Sequence, residues 1–307
     1  MAELLEHGLL RGSFIPPIEM RALRDLTRYR RQLGHTHRAE VHRRQTVLED
    51  ANIKWASVAP DVMGASGRAI VRAVLAGGAT PEALADLATG RLRKKKHDRQ
   101  TALEGRVRPH HAGRLTPILA PIEFLEESIA ACDAQSEALC RPFAAVIARL
   151  ETLPGVSQRT AHALMADIGV EMAWFPSAKH RCAWAQLSPE NNESAGKRKR
   201  GRPGKGNKWL RTLLVECAHA ASHTKATDLG TNLRRVASRK GKQRAAVMVA
   251  HRLLEGAYFI RRDHVPYREL GSQYLDERQR VHVIRHHVRR LESLGLHIEI
   301  HELPQTG

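Results

Sequence analysis

PPIEMRALRDLTRYRRQLGHTHRAEVHRRQTVLEDANI, residues 16–53, reads as one long helix. Proline is tolerated in a first helical turn, where its missing amide has no partner to lose, so Pro16-Pro17 followed by Ile18 is a start signal. From there the chain stays helix-permissive to about Ile53, with apolar residues thinly spaced at Leu23, Leu26, Leu33, Val41, Val47 and Leu48. Between them stand Arg21, Arg24, Arg28, Arg30, Arg31, Arg38, Arg43 and Arg44. A narrow apolar stripe beside a dense arginine face predicts a helix lying along one neighbour, as an antiparallel or coiled-coil pair. The arginines read either as a solvated face or as an unbalanced charge that phosphate would neutralise.

Outward from this segment the pattern remains helical. Short helices are expected at 66–76, 81–88 and 92–103, separated by Gly77-Gly78 and Thr89-Gly90. A second long helical region, 114–153, contains Pro117, Pro121 and Pro142, which should start, kink or divide it. Further helices are expected at 177–186, 205–224, 228–239, 242–262 and 276–294, and His297 to His301 alternates like an edge strand or forms a tail. The fold class is therefore mainly α: long antiparallel or coiled-coil helices plus a compact helical domain. The expected divisions are 1–150, 151–262 and 263–307.

The 307 residues carry a formal charge of +18, from 50 Lys and Arg against 32 Asp and Glu, which favours a nucleic acid or an anionic membrane as partner. No apolar run approaches the roughly 18 residues that span a bilayer, and the acids near Met1 do not suit a signal peptide. A cytoplasmic location is expected. Cys132, Cys140, Cys182 and Cys217 are scattered and read as reduced, packed thiols. Among 18 histidines, His35 with His37, His110-His111 and His282 with His286 suggest ligands, but no carboxylate or cysteine clusters with them in sequence, so no metal site is assigned.

The stretch that carries chemistry is Ser188 to Lys208, SPENNESAGKRKRGRPGKGNK. Ser194 is followed by Ala195-Gly196 and then by Lys197, Arg198, Lys199, Arg200, Arg202, Lys205 and Lys208. Glycine gives backbone freedom and close approach, and the cations gather phosphates. A helix opening near Lys205 would add amides that face phosphate. Upstream, Leu153-Pro154-Gly155-Val156-Ser157 between two helices looks like a helix-hairpin-helix, with Ser157 where the second hairpin glycine usually stands. An ordinary αα-corner reads equally well.

With those residues assembled, the chain resembles transposases of the insertion-sequence 110 family, the DEDD group of RNA-guided recombinases. The likeness is strongest over 153–221: the Leu-Pro-Gly-Val turn, Phe175-Pro176-Ser177-Ala178, Trp184-Ala185-Gln186-Leu187-Ser188-Pro189, Ser194-Ala195-Gly196-Lys197 and Lys205-Gly206-Asn207-Lys208-Trp209-Leu210-Arg211. A weaker likeness runs through Phe14 to Pro17, Arg21 to Arg24, Ala51 to Lys54 and Gly64 to Arg68.

The resemblance implies an insertion-sequence transposase that cleaves and exchanges DNA strands through a phosphoserine intermediate. Ser194 would be the nucleophile. Lys197, Arg198 and Arg200 would stabilise phosphate, and Lys199, Arg202, Lys205, Lys208 and Arg211 would follow the backbone, with Gly155, Ser157 and Gly196 as further nucleic-acid contacts. It also implies Mg2+ held by carboxylates of a RuvC-like domain, a guide RNA, and a homodimer or homotetramer. The family's last Asp-x-x-Asp-Ala step would fall just before Ala2, so the acidic set matches nothing in the chain. Residues 1–150 are then expected to be a remnant of that domain, with strand exchange impaired. Asp25, Asp50, Asp61 and Asp98 read as caps and ion-pair partners. The alternatives are a non-catalytic basic nucleic-acid-binding protein and, behind it, a Holliday-junction nuclease, which would need a carboxylate cluster.

Overall fold

The computed structural model describes residues 3, 6–7, 15–59, 62–88, 96–189, 193–198, 201, 204 and 206–300. In chain order the helices are α1 Ile18–Asp50, α2 Trp55–Val58, α3 Ala65–Ala76, α4 Pro81–Asp86, α5 Lys96–Ala102 and α6 Pro109–Cys140. After a 3-10 turn at Arg141–Phe143 come α7 Ala144–Glu151, α8 Gln158–Ile168, α9 Ala178–Trp184, α10 Lys208–His223, α11 Asp228–Lys240, α12 Lys242–Asp263, α13 Tyr274–Arg278 and α14 Arg280–Glu292. Between α9 and α10 lie two short strands, β1 Glu193–Ser194 and β2 Lys197–Arg198. The fold is mainly α. No helix among the described residues is long and apolar enough to cross a membrane.

The chain divides into two units, Asp25–Leu139 and the remainder, Met1–Arg24 with Cys140–Gly307. This corrects the expected divisions at 150 and 262. The start of α1 belongs to the second unit because Met20 and Leu23 are buried in its core with Cys140. The residues after 262 belong there too: Glu269 accepts the Asp228 amide at 2.8 Å, and Thr152 Oγ1 accepts the Tyr267 amide at 2.8 Å.

In the first unit α1 and α6 run antiparallel. Arg30 grips Asp133 with two hydrogen bonds, His37 meets Glu126, and Asp50 meets Arg114 and His111, so one number rises as the other falls. Leu33, Leu125 and Cys132 form the seam, with Leu26 and Ile129 beside them. A larger cluster, including Val47, Leu48, Ile53, Trp55, Ile70, Leu84, Leu103 and Leu115, joins the helix ends to α2–α5. Helix α6 runs through Pro117 and Pro121, and the chain is divided at Pro142 instead.

The arginine face of α1 is largely committed within the protein. Arg24 pairs with Asp167, Arg30 with Asp133 and Arg43 with Glu40, and Arg44 is buried with a guanidinium N–H on the Val62 carbonyl. The reading of this face as free phosphate-binding charge is thereby corrected. Asp133 and Asp167 lie more than 100 residues from their arginines, so the local sequence cannot reveal the pairing.

The second unit is built around α12. Ala245, Ala246, Val249, Ala250, Leu253, Leu254 and Ala257 are buried along it, and α10 and α11 pack on it. Small residues at helical spacing let neighbouring backbones come close. All four cysteines are free and buried, and burial pushes the Cys182 thiol up to about 12 and Cys140 to about 11. These are packing groups, not nucleophiles. Residues 297–300 form no strand, so that segment is a tail.

Candidate functional site

Ser194 stands at the end of a two-stranded hairpin. Glu193 faces Arg198 and Ser194 faces Lys197 in antiparallel register. The two turn residues, Ala195 and Gly196, have φ of 51° and 72°, the signature of the type I′ turn that suits the twist of a tight hairpin. Glycine takes this geometry freely, whereas Ala195 carries a cost of roughly 1–2 kcal/mol. Glu193 through Lys197 are all exposed. Directly opposed residues put their Cβ atoms about 5 Å apart on one face of the ribbon. The hydroxyl of Ser194 and the ammonium of Lys197 therefore share a solvent-facing side.

The hairpin rises from a cinched neck. On the incoming side, Gln186, two residues past the end of α9, has a left-handed φ of 56°, and Leu187 is buried. On the outgoing side, a Cβ on Gly206 would lie 2.4 Å from Gln186 Cβ, so only glycine fits where the two chain ends cross. Arg211 ties the ends together, donating to the Gln186 carbonyl at 3.3 Å and the Gly204 carbonyl at 3.5 Å. Its two terminal guanidinium nitrogens thus have carbonyl partners, which gives Arg211 a role in closing the neck.

Asn207 fixes the neck to the core. Its Nδ2 donates to Asp167 Oδ1 at 3.0 Å, while its Oδ1 accepts the amides of Trp209 and Leu210 at 3.0 and 3.2 Å. The α10 amides expected to face phosphate are therefore capped internally, and the helix begins at Lys208. Asp167, which is buried, is also held by Arg24, whose Nε lies 3.3 Å from the same Oδ1 and which donates to the Ala166 and Asp167 carbonyls. Arg181 and Arg261 likewise donate to the Ile168 and Val170 carbonyls. Three cations thus complement the C-terminal end of α8. Burial pushes the Arg181 guanidinium down to about 9, which leaves it charged at neutral pH.

Asn207→Ala should lower stability by about 1–3 kcal/mol, combining a lost cap with a buried carboxylate deprived of one donor. Hydrogen exchange should show faster opening at residues 206–211 while α11 stays protected. Unchanged exchange there would mean that the cap does not hold the neck.

The remaining expected contacts divide clearly. Lys208 is exposed at the start of α10 and Gly196 at the hairpin turn. The side chain of Arg198 and all of Lys199, Arg200, Arg202 and Lys205 lie outside the described residues. Gly155 has φ of 79°, and a Cβ there would meet the Cys217 carbonyl at 2.3 Å and the Ala221 amide at 2.7 Å. Its open face is filled by α10, which favours the αα-corner over a phosphate-binding hairpin. Ser157 is exposed before α8 and shares a 3.1 Å hydrogen bond with Thr160.

Among the described residues, one group of three or more candidate ligands comes together: Asp50, His110 and His111, within 4.8 Å of one another. The expectation that no carboxylate stands beside His110-His111 is corrected, since α1 and α6 bring Asp50 there. His111 Nδ1 accepts the Arg108 amide, so a neutral ring carries its proton on Nε2, 3.4 Å from Asp50. Arg114 pairs with the same Asp50 oxygen at 3.2 Å. This is an ion-pair joint between helix ends. The described residues gather no set of converging oxygens for magnesium.

No curated protein matches the chain. Residues 147–231 match the sequence model of the Transposase IS116/IS110/IS902 family. That span holds α8–α10, the Ser194 hairpin and the whole neck, and over it the chain is similar to the insertion-sequence transposases of the IS116/IS110/IS902 family.

Proposed function

We propose that this transposase cleaves and rejoins DNA by transesterification at Ser194. The observation that carries the reading is the hairpin register, which sets Ser194 and Lys197 side by side at an exposed tip of the transposase domain. In the step, Ser194 Oγ gives up its proton and forms a bond to phosphorus. One P–O bond to a sugar breaks, and the leaving sugar oxygen takes up a proton as a hydroxyl. The bond count at phosphorus is conserved, so strands exchange without nucleotide hydrolysis. Negative charge that builds on the phosphoryl oxygens is met by Lys197, with Arg198 and Arg200 close behind in sequence. Lys199, Arg202, Lys205 and Lys208 hold the flanking backbone.

The donor set in the described residues does not fit magnesium. The chain by itself is accordingly expected to exchange strands poorly. A guide RNA, a homo-oligomer and a cytoplasmic setting complete the reading. The alternative is a protein that binds nucleic acid without cutting it.

Both readings require nucleic-acid binding, and the full chain should bind duplex DNA with log Kd rising steeply with log salt. Fluorescence anisotropy between 50 and 300 mM salt measures this, and an affinity that does not change with salt would sink both. Formation of a protein–DNA adduct then separates them.

A further inference from the structure

We propose that the corner between α11 and α12 is a second docking surface for the phosphate backbone of duplex DNA, separate from the Ser194 loop. The inference rests on the DNA-acting reading above. Arg239 and Lys240 end α11, Gly241 makes the turn, and Lys242 and Arg244 open α12; all five are exposed. No acid occurs between Asp228 and Glu255. Unlike most arginines of α1, Lys240, Lys242 and Arg244 have no side-chain hydrogen-bond or ion-pair partner among the described residues. Arg239 spends only Nε, on the Arg235 carbonyl of its own helix.

Two of these cations sit where a helix disfavours them. Lys242 and Arg244 occupy the first turn of α12, which holds no acid to balance the positive end of the helix dipole. Arg239 and Lys240, by contrast, suit the end of α11. A local rule broken at an exposed position, with no internal partner in compensation, marks a surface that is completed by something external. The chemistry that completes it is anionic. Gly241 leaves open space around its α-carbon, with no atom within 4 Å of a would-be Cβ, so a phosphate chain can lie close against the turn. A run of cations on two helix ends suits a repeating polyanion, and the corner follows directly on residues 147–231, the stretch that matches a transposase family and ends in the first turn of α11.

The test compares the full chain with a variant carrying Arg239→Gln, Lys240→Gln, Lys242→Gln and Arg244→Gln, in anisotropy titrations on duplex DNA across salt. Each phosphate contact contributes about 0.9 to the slope of log K against log salt. The variant should lose up to about 3.6 units of slope, about 0.9 for each of its four cations, and bind at least tenfold more weakly at 150 mM salt. A wild-type chain that binds steeply beside a variant with unchanged slope and affinity would overturn the corner and leave the Ser194 reading intact. A wild-type chain that binds duplex DNA without salt dependence, or binds only RNA, would overturn the corner and the DNA reading together.

A second variant, Lys242→Glu with Arg244→Glu, guards against misfolding as the explanation. It should hold or raise Tm, since acids suit a first turn, yet bind DNA more weakly than the wild-type chain. A raised Tm with undiminished DNA affinity would contradict the proposal.

Discussion

Gly155→Ala should destabilise the second unit by about 2–5 kcal/mol, the sum of left-handed strain and overpacking. The strain arises because φ at Gly155 is 79°. The overpacking arises because the new Cβ would lie 2.3 Å from the Cys217 carbonyl and 2.7 Å from the Ala221 amide. Both atoms are α10 backbone, so relief requires a shift of the helix that anchors the Ser194 neck. Gly271→Ala supplies the control, since φ is 84° there and a Cβ would meet nothing within 4 Å. Urea unfolding should show a large drop in midpoint for the first variant and a drop of about 1 kcal/mol or less for the second. Equal effects would mean that close packing on α10 does not explain Gly155.

Ser194→Ala should leave folding and DNA affinity nearly unchanged while reducing covalent chemistry to background. The side chain is exposed at a hairpin end and no described contact depends on it, so its removal costs little stability. Chemistry is different, because alanine has no oxygen to attack phosphorus. Lys197→Gln should have an intermediate effect, on the order of a hundredfold in rate, by removing one charge from the phosphoryl oxygens. Single-turnover cleavage beside equilibrium binding separates the two contributions. A Ser194→Ala chain that cleaves at the original rate would return the loop to plain phosphate binding.

Much of the fold was legible because helix punctuation is local. Pro16-Pro17, Gly77-Gly78 and Gly241 mark ends that the structure keeps within a few residues. The antiparallel α1–α6 pair followed from the sparse stripe of Leu26 and Leu33. What the sequence concealed is long-range. Asp133 and Asp167 neutralise arginines more than 100 positions away, and Asp50 meets His111 across two helices. The unit boundary was misplaced for the same reason, since Met20 and Leu23 pack into a core made mostly of residues after 139.

At the site, the serine, its glycine turn and the cations were readable as residue types in order. Their division of labour was not. Arg211 looks like any backbone-tracking cation in the sequence, yet it closes the neck. Asn207 looks like loop composition, yet it caps α10 and holds Asp167. An asparagine two residues before the Trp209-Leu210 run is itself a capping signal, and it marks the helix start at 208 rather than 205. The α11–α12 corner went unread because its cations resemble an ordinary solvated helix end until the structure shows which of them lack partners.

The central claim, that Ser194 forms a covalent bond to DNA, is tested most directly by trapping. A nicked duplex that releases its leaving strand would be incubated with the full chain and a magnesium-holding RuvC-like domain supplied in trans. Covalent complexes would then be digested and mapped by mass spectrometry. The account predicts a nucleotide-modified peptide with the adduct on Ser194, absent from the Ser194→Ala chain. An adduct on another residue, or one that persists in Ser194→Ala, would contradict it.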